Sequence, residues 1–105
     1  VYHPALPHTK NHNIWKRDFT GSSGLFAFSL KKKYSNKQIE KFYKKLKIFK
    51  LGYSWGGFES LITFPPLGNR MFKNKISGNI IRIYCGLEDS KDQINDIFEA
   101  LKTLK

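Results

Sequence analysis

A glycine-rich aromatic segment and one arginine are the parts of this chain best suited to chemistry. Arg82 projects from an otherwise apolar strand pattern at 80–84. Backbone that needs paired glycines beside bulky aromatic residues commonly approaches another group closely. The pattern predicts part of a small-molecule site, with a hydroxyl and an indole in a turn and a guanidinium on a strand. Segment 51–62 supplies the turn, with Tyr53, Ser54, Trp55, Gly56 and Gly57.

Each of these residues also fits a purely structural role. An unpaired buried guanidinium is prohibitively costly, so Arg82 must reach water at an edge or meet an anion. One interpretation is a clamp on a ligand carboxylate or phosphate, and the other is an ion pair with Glu88, Asp89 or another acid. Ser54 and Trp55 equally fit a turn-stabilising serine and a core tryptophan.

Histidine and cysteine add no second set of chemical groups. His3, His8 and His12 lie in an irregular segment without a nearby cysteine or carboxylate. We therefore expect them to be exposed and expect no metal site. Cys85 ends an apolar strand without an activating base, which predicts an inert buried thiol. No set of nucleophile, base and acid can be assembled.

The elements that must position these residues form an α+β domain. Short loops favour antiparallel neighbours, so we expect an antiparallel sheet covered by helices. A polar, basic loop joins the last two strands. An extended entry segment spans 1–24 and leads into a β-α-β-β-α body at 25–105, with strands at 25–30, 60–64 and 79–84 and helices at 36–47 and from Asp89 or Ser90 onwards.

The apolar periodicity predicts which faces are buried. Ser35 and Gln38 form a capping-box signature at the start of the first predicted helix. The large face of the first strand should meet the core through Phe26, Phe28 and Leu30. The helices should bury apolar stripes made of Ile39, Phe42, Tyr43 and Leu46 in the first, and Ile94, Ile97, Phe98, Leu101 and Leu104 in the last.

The charge of +11 on 105 residues first suggests a nucleic-acid partner. Sixteen of the 19 basic residues are lysines, however, and base recognition relies on arginine. The lysines therefore have two interpretations, a solvated helix face and a nucleic-acid-binding module. In such a module, Lys31–Lys33 and the lysines of 41–50 would be flanked by stacking rings of Tyr34, Tyr43 and Phe49. A single cysteine and no apolar run of membrane length lead us to expect a cytoplasmic protein without a membrane partner.

Three motifs occur in fixed order along the chain. They lie at 15–19 with 21–26, then at 53–62, and then at 81–83 with 86–89. Together they resemble the C-terminal part of the pyridoxal-phosphate-dependent trans-sulfuration enzymes, with bacterial cystathionine β-lyases as the nearest branch. The resemblance spans nearly the whole chain.

The resemblance implies a partial C-terminal domain of fold type I, 1–105, in a cytoplasmic homotetramer. It implies α,β-elimination of cystathionine to homocysteine, pyruvate and ammonia in methionine biosynthesis. The matching Arg82 would bind the substrate α-carboxylate, Ser54 would lie by the catalytic lysine, and Trp55 would shape the substrate pocket. Tyr53 favours the β-lyases, because γ-synthases and γ-lyases often carry glutamate there, and these remain alternatives.

The resemblance also implies that essential parts lie outside this chain. The Schiff-base lysine and the groups that hold pyridoxal 5'-phosphate belong to the family's preceding large domain, so no catalytic or cofactor-binding residue is expected here. The chain would begin after the first helix of the C-terminal domain, which should leave apolar sheet surface exposed. A lyase fragment inactive by itself and a non-functional relic both remain open.

Overall fold

The computed structural model describes residues 1–66 and 78–105. Three helices and a four-stranded sheet confirm the predicted α+β class. The loop predicted before the last strand lies largely outside the described residues. In chain order the elements are α1 (His12–Asp18), β1 (Leu25–Ser29), α2 (Asn36–Lys45), β2 (Lys50–Leu51), β3 (Leu61–Thr63), β4 (Ile80–Tyr84) and α3 (Ser90–Leu101).

The sheet has the strand order β1-β4-β3-β2. Strand β4 lies inside it and pairs antiparallel with both β1 and β3, as the short loops predicted. Strand β2 was not predicted, and it pairs parallel with β3 through Lys50 and Leu61. Parallel neighbours require a connection that returns to the starting end of the sheet. The glycine-rich segment 52–60 makes that return, and the side chains of Arg82 and Tyr84 bind it from one face of β4.

The alternation along β4 separates the core from the candidate site. Ile81 and Ile83 are buried, whereas Arg82 and Tyr84 lie on the opposite face and are half-buried. Successive side chains of a strand point to opposite faces, so one strand serves both functions. The predicted large face of β1 is confirmed, since Phe26 and Phe28 pack against the core. The buried apolar core consists of Leu30, Phe42, Phe49, Ile62, Ile81, Ile83 and Ala100.

Helix α2 begins with the capping box that the sequence predicted. The Ser35 side chain accepts from the Gln38 backbone N–H, and the Gln38 side chain accepts from the Ser35 backbone N–H. Phe42 is buried, and the rest of the predicted stripe packs against the core. The lysines of the outer face are all exposed: Lys37, Lys41, Lys44 and Lys45.

The apolar stripe predicted for helix α3 is confirmed only in part. Ile97 and Leu101 pack against the core, but Ile94 and Phe98 are 56% and 61% exposed. Polar Gln93 and Asp96 are buried instead. The Asp96 carboxylate accepts backbone N–H bonds of 2.8–3.1 Å from residues 47–49. These hydrogen bonds satisfy the buried carboxylate and set which face of the helix packs inward.

The entry segment 1–24 is not wholly extended, and the prediction that it lacks a helix was wrong. Helix α1 has only seven residues, too few to show a helical period in the sequence. Asn11 precedes it with φ of 66° and gives no side-chain cap, so the usual start signal is missing too. Backbone bonds from Thr9 to Leu6 and from His12 to Thr9 lead the chain into it.

The helices are short. They contain seven, ten and twelve residues, whereas a bilayer requires about twenty apolar residues. No helix of the described ranges has the length and apolar character to cross a membrane.

Candidate functional site

The structure brings Arg82 and the glycine-rich segment together. Arg82 lies opposite Ala27 on β1 and Thr63 on β3, so its Cα is fixed from both sides. Its Nη2 donates a hydrogen bond of 2.5 Å to the Tyr53 carbonyl oxygen. A guanidinium has five N–H donors, so this bond leaves donors for a carboxylate. The predicted turn and strand therefore form one site.

The structural ion pair considered for Arg82 is not formed with either named acid. Glu88 binds Ser60 and Gln93 instead. Asp89 accepts from the Lys91 backbone N–H at 2.8 Å and caps α3. Both acids follow the end of β4, where the chain turns into the helix. Their carboxylates are therefore used in holding that turn and the helix start.

The aromatic side chains of the segment face outward. Tyr53, Trp55 and Phe58 are 76%, 62% and 70% exposed, so the core-tryptophan interpretation is wrong. Gly56 has φ of 87°, a left-handed conformation that side chains rarely adopt. Ser54 is exposed beside them.

A buried serine holds the far end of the segment, and sequence reasoning missed it. Ser60 is fully buried, and its Oγ donates to Glu88 Oε2 at 2.6 Å while accepting from the Gly86 N–H at 2.9 Å and from Gln93 Nε2 at 3.0 Å. The Ser60 N–H donates to Glu88 Oε1 at 3.1 Å. Every polar group in this cluster is therefore paired, which favours a single arrangement.

The Glu88 carboxyl is strongly acidic for a physical reason. The Ser60 hydroxyl is the largest cause and lowers the pKa of Glu88 to about 2, helped by backbone N–H groups and the Gln93 amide against partial desolvation. The carboxylate is thus charged at neutral pH and acts as an acceptor only. This arrangement suits a structural anchor and not a proton donor.

Close backbone contact explains the glycine after Cys85. A Cβ on Gly86 would lie 2.2 Å from the Phe58 carbonyl oxygen and 2.7 Å from the Ser60 nitrogen. The next residue, Leu87, donates its N–H to the same Phe58 oxygen at 2.8 Å. The segment 86–88 and the end of the glycine-rich segment therefore pack backbone to backbone.

Cys85 has the properties of an inert thiol. It is half-buried, and burial followed by the Glu88 charge raises the pKa of its thiol. A raised pKa leaves little thiolate near neutral pH, and the thiolate is the nucleophile. The structure therefore agrees with the structural interpretation of Cys85.

The histidines are held by backbone groups, and only His8 is exposed as predicted. His3 Nε2 lies 3.2 Å from the Ser23 carbonyl oxygen, and its Nδ1 accepts from Ala5. His12 Nδ1 lies 2.7 Å from the Pro4 oxygen. The turns of the entry segment explain why these two are half-buried. Within the ranges that the structure describes, no cluster of three metal-binding side chains occurs.

The described residues do not fit a complete cofactor site. A lysine that forms a covalent bond with a carbonyl compound is activated by desolvation or by nearby cations in a closed pocket. Every lysine of 1–66 and 78–105 is exposed. What the described residues provide is the Arg82 guanidinium on the strand and an exposed indole and phenol in the segment that it binds.

The nucleic-acid alternative loses two of its three predicted stacking rings. Phe49 is 1% exposed, and the Tyr43 ring packs edge-on against Phe64 with centroids 6.4 Å apart. Base stacking requires an accessible ring face. The lysines of α2 therefore form a solvated outer face.

Comparison with known proteins places this site in an enzyme family. A family model described as "Cys/Met metabolism PLP-dependent enzyme" matches residues 1–102. The chain therefore belongs to the family of pyridoxal-phosphate-dependent enzymes of cysteine and methionine metabolism.

Curated relatives of the chain include enzymes with different named reactions. The chain is 47% identical over 106 residues to the cystathionine beta-lyase MetC of Escherichia coli, covering 92% of this chain. It is 40% identical to an L-alanine/L-glutamate racemase of Wolbachia pipientis, covering 99% of this chain and 27% of the racemase. The chain spans about a quarter of the length of these curated relatives, 26% for the E. coli enzyme.

Solved structures share the fold. A cystathionine gamma synthase from Xanthomonas oryzae superposes with a TM-score of 0.79 at 26% identity, covering 97% of this chain and 28% of that one. A methionine gamma lyase from Micromonospora echinospora gives 0.73 at 27% identity, covering 94% and 25%. The fold and family are therefore shared by members with different reactions.

Proposed function

We propose that this chain is the substrate-binding part of a pyridoxal-phosphate-dependent carbon–sulfur lyase that acts on cystathionine. The observation that carries the proposal is the Arg82 guanidinium, which leaves an apolar strand and lies against an aromatic segment. Such a group binds a carboxylate in two-point geometry. In the elimination, cystathionine and water give homocysteine, pyruvate and ammonia.

Each site residue has a proposed role. The Arg82 guanidinium binds the α-carboxylate of the substrate, Trp55 and Tyr53 line the space for its thioether chain, and Ser54 lies nearest the reacting centre. Tyr53 supports the β-lyase branch, because a phenol in place of a carboxylate offers no charge for a distal ammonium. The 47% identity to the E. coli lyase supports the same branch.

The cofactor is proposed to be held by protein outside these residues, as part of a homo-oligomer in the cytoplasm. The exposed lysines of the described ranges support that division of labour. When bound, pyridoxal phosphate supplies the electron sink, and the protein supplies binding and orientation. The chain by itself is therefore expected to release no pyruvate from cystathionine.

The test is a chimaera in which this chain replaces the matched quarter of the E. coli cystathionine beta-lyase. We expect Arg82→Ala to lower kcat/KM for cystathionine about a hundred- to a thousandfold, because charge-assisted hydrogen bonds to the carboxylate are lost. Arg82→Lys should recover part of the loss. The matched control is Lys41→Ala, which removes the same charge from the exposed face of α2.

The outcomes separate the candidate functions. If the chimaera were active and its Arg82→Ala variant kept full kcat/KM, another group would have to bind the α-carboxylate of the substrate. Steady pyruvate release by the 105-residue chain alone would overturn the division of labour. A folded, cofactor-loaded chimaera that racemises alanine but eliminates nothing would favour the reaction named for the Wolbachia relative. Complete inactivity would favour the relic.

A further inference from the structure

A second side chain of β4 also holds the glycine-rich segment. Tyr84 follows Arg82 by two residues, so both side chains leave the same face of the strand. The Tyr84 hydroxyl donates a hydrogen bond of 3.0 Å to the Gly57 carbonyl oxygen. Neither the turn chemistry nor the family resemblance predicts this contact. It places a phenol beneath the turn that carries Trp55.

The two bonds fasten the segment at different points. Arg82 holds the Tyr53 carbonyl at its start, and Tyr84 holds the Gly57 carbonyl after its turn. Trp55 lies between them and is mostly exposed, so the backbone on either side fixes where its indole stands. Among the hydrogen bonds of the described residues, the Tyr84 bond is the one that reaches the 54–57 part from the sheet.

The glycines make that bond necessary. Gly56 has φ of 87°, and a Cβ at Gly56 or Gly57 would meet no atom within 4 Å. Glycine has the greatest backbone freedom of any residue, and open space on both sides does nothing to restrict it. A turn of this kind keeps one conformation only if a partner holds it. The Tyr84 hydroxyl is that partner.

We propose that Tyr84 is a positioning residue that sets the place of the Trp55 indole and thereby the preference for long, thioether-bearing amino acids. The proposal rests on the proposed function, because Trp55 is taken to line the substrate space. Tyr84 acts through the Gly57 carbonyl and touches no reacting atom.

The kinetic test uses the chimaera with Tyr84→Phe, which removes only the hydroxyl. We expect KM for cystathionine to rise about three- to tenfold, the usual effect of one lost hydrogen bond, with kcat nearly unchanged. KM for β-chloroalanine, which has a three-carbon chain and no thioether, should rise less, because Trp55 is proposed to line the space for the thioether chain. Tyr43→Phe is the matched control, since Tyr43 lies on α2 and its ring packs against Phe64.

A second measurement is independent of activity. In a chimaera in which Trp15 and every tryptophan of the E. coli part are replaced by phenylalanine, Trp55 is the only tryptophan, and its time-resolved fluorescence anisotropy reports nanosecond motion of the indole. We expect Tyr84→Phe to enlarge the amplitude of the fast decay at least twofold. Tyr43→Phe should leave the decay unchanged.

The two readouts distinguish failure of this inference from failure of the proposed function. Equal KM increases for both substrates would show a merely structural tyrosine and overturn the proposal. Unchanged anisotropy in Tyr84→Phe would overturn it whatever the kinetics. If the parent chimaera eliminated neither substrate, the proposed function would fail. A larger fast decay would then still establish the anchor, while the specificity role would be lost with the reaction.

Discussion

Arg82 shows how one side chain can serve both the fold and the site. Its guanidinium holds the Tyr53 carbonyl, so the residue proposed to bind a carboxylate also shapes the segment beside it. Its replacement therefore removes a binding group and loosens a neighbour at once. A graded comparison of alanine and lysine at this position separates the two effects, because lysine keeps the charge but loses the planar two-point geometry.

Glu88 makes the free energy of unfolding of the chain depend on pH in the acid range. Its pKa of about 2 lies below the ordinary value of 4.5, so the charged form is favoured in the folded state. The stability contributed is complete above about pH 4.5 and is lost as the pH falls through about 2. We expect Glu88→Gln to lower the free energy of unfolding at pH 7 and to flatten its decline between pH 4.5 and 2.

Urea unfolding of the 105-residue chain at several pH values measures this effect. The matched control is Glu59→Gln, an exposed glutamate on the glycine-rich segment. Parallel pH profiles for the native chain and Glu88→Gln would contradict the role of Glu88.

The sequence indicated the chemical groups at residue scale but not all of their partners. Residue types and the apolar setting singled out Arg82, and the family resemblance gave Ser54, Trp55 and Tyr53 their expected roles. The sequence did not indicate Ser60, because a serine at the start of a strand resembles an ordinary boundary residue. Its contacts with Glu88 and Gln93 join positions 28 and 33 residues apart, and no local pattern reports such pairs.

At the scale of elements, the long amphipathic pieces were predictable and the short ones were not. The capping box and stripe of α2 are local signals, and the structure confirms both. Strand β2 has two residues and α1 has seven, which is too few for a period to emerge. The stripe of α3 was right in part, since Ile97, Leu101 and Leu104 pack against the core. The buried positions that it missed belong to polar Gln93 and Asp96, whose hydrogen-bond partners lie far away in the sequence.

The backbone contact at Gly86 predicts a strong effect of one methyl group. A Cβ there would lie 2.2 Å from a backbone oxygen, so Gly86→Ala must push the glycine-rich segment away from the turn before α3. We expect a loss of roughly 1–3 kcal/mol in the free energy of unfolding, in the range of overpacking with backbone shifts. Chemical denaturation followed by circular dichroism measures it.

Gly21→Ala is the matched control, because a Cβ on Gly21 meets nothing within 4 Å. A Gly86→Ala chain as stable as the Gly21→Ala chain would show that the two segments separate without cost.

At the scale of the whole molecule, an apolar groove lies between the sheet and α3. The resemblance led us to expect an exposed apolar surface on the sheet, whereas the exposed apolar residues of this groove include Ile94 and Phe98 on α3, both more than half exposed. Such a surface favours association in water. The groove is lined by Val1, Phe26, Phe28, Ile94, Ile97 and Phe98, among others.

We expect the isolated chain to associate through this groove. The double change Ile94→Lys and Phe98→Lys should raise the monomer fraction in light scattering after size exclusion, because it places charges on one face of α3. Leu87→Lys is the matched control, an 84% exposed apolar residue outside the groove. A native chain that is already monomeric and unfolds sharply would refute the expectation.

The anchors of the glycine-rich segment all come from later in the chain. Arg82 binds the Tyr53 carbonyl, Tyr84 binds the Gly57 carbonyl and Gln93 binds the Ser60 hydroxyl. These partners lie 29, 27 and 33 residues later in the chain. During synthesis at about 5–20 residues per second, the segment spends roughly 2–7 seconds without its last partner. The part of the chain proposed to recognise substrate is therefore ordered late, and a nascent chain that stopped before β4 would carry the aromatic residues without the hydrogen bonds from Arg82 and Tyr84.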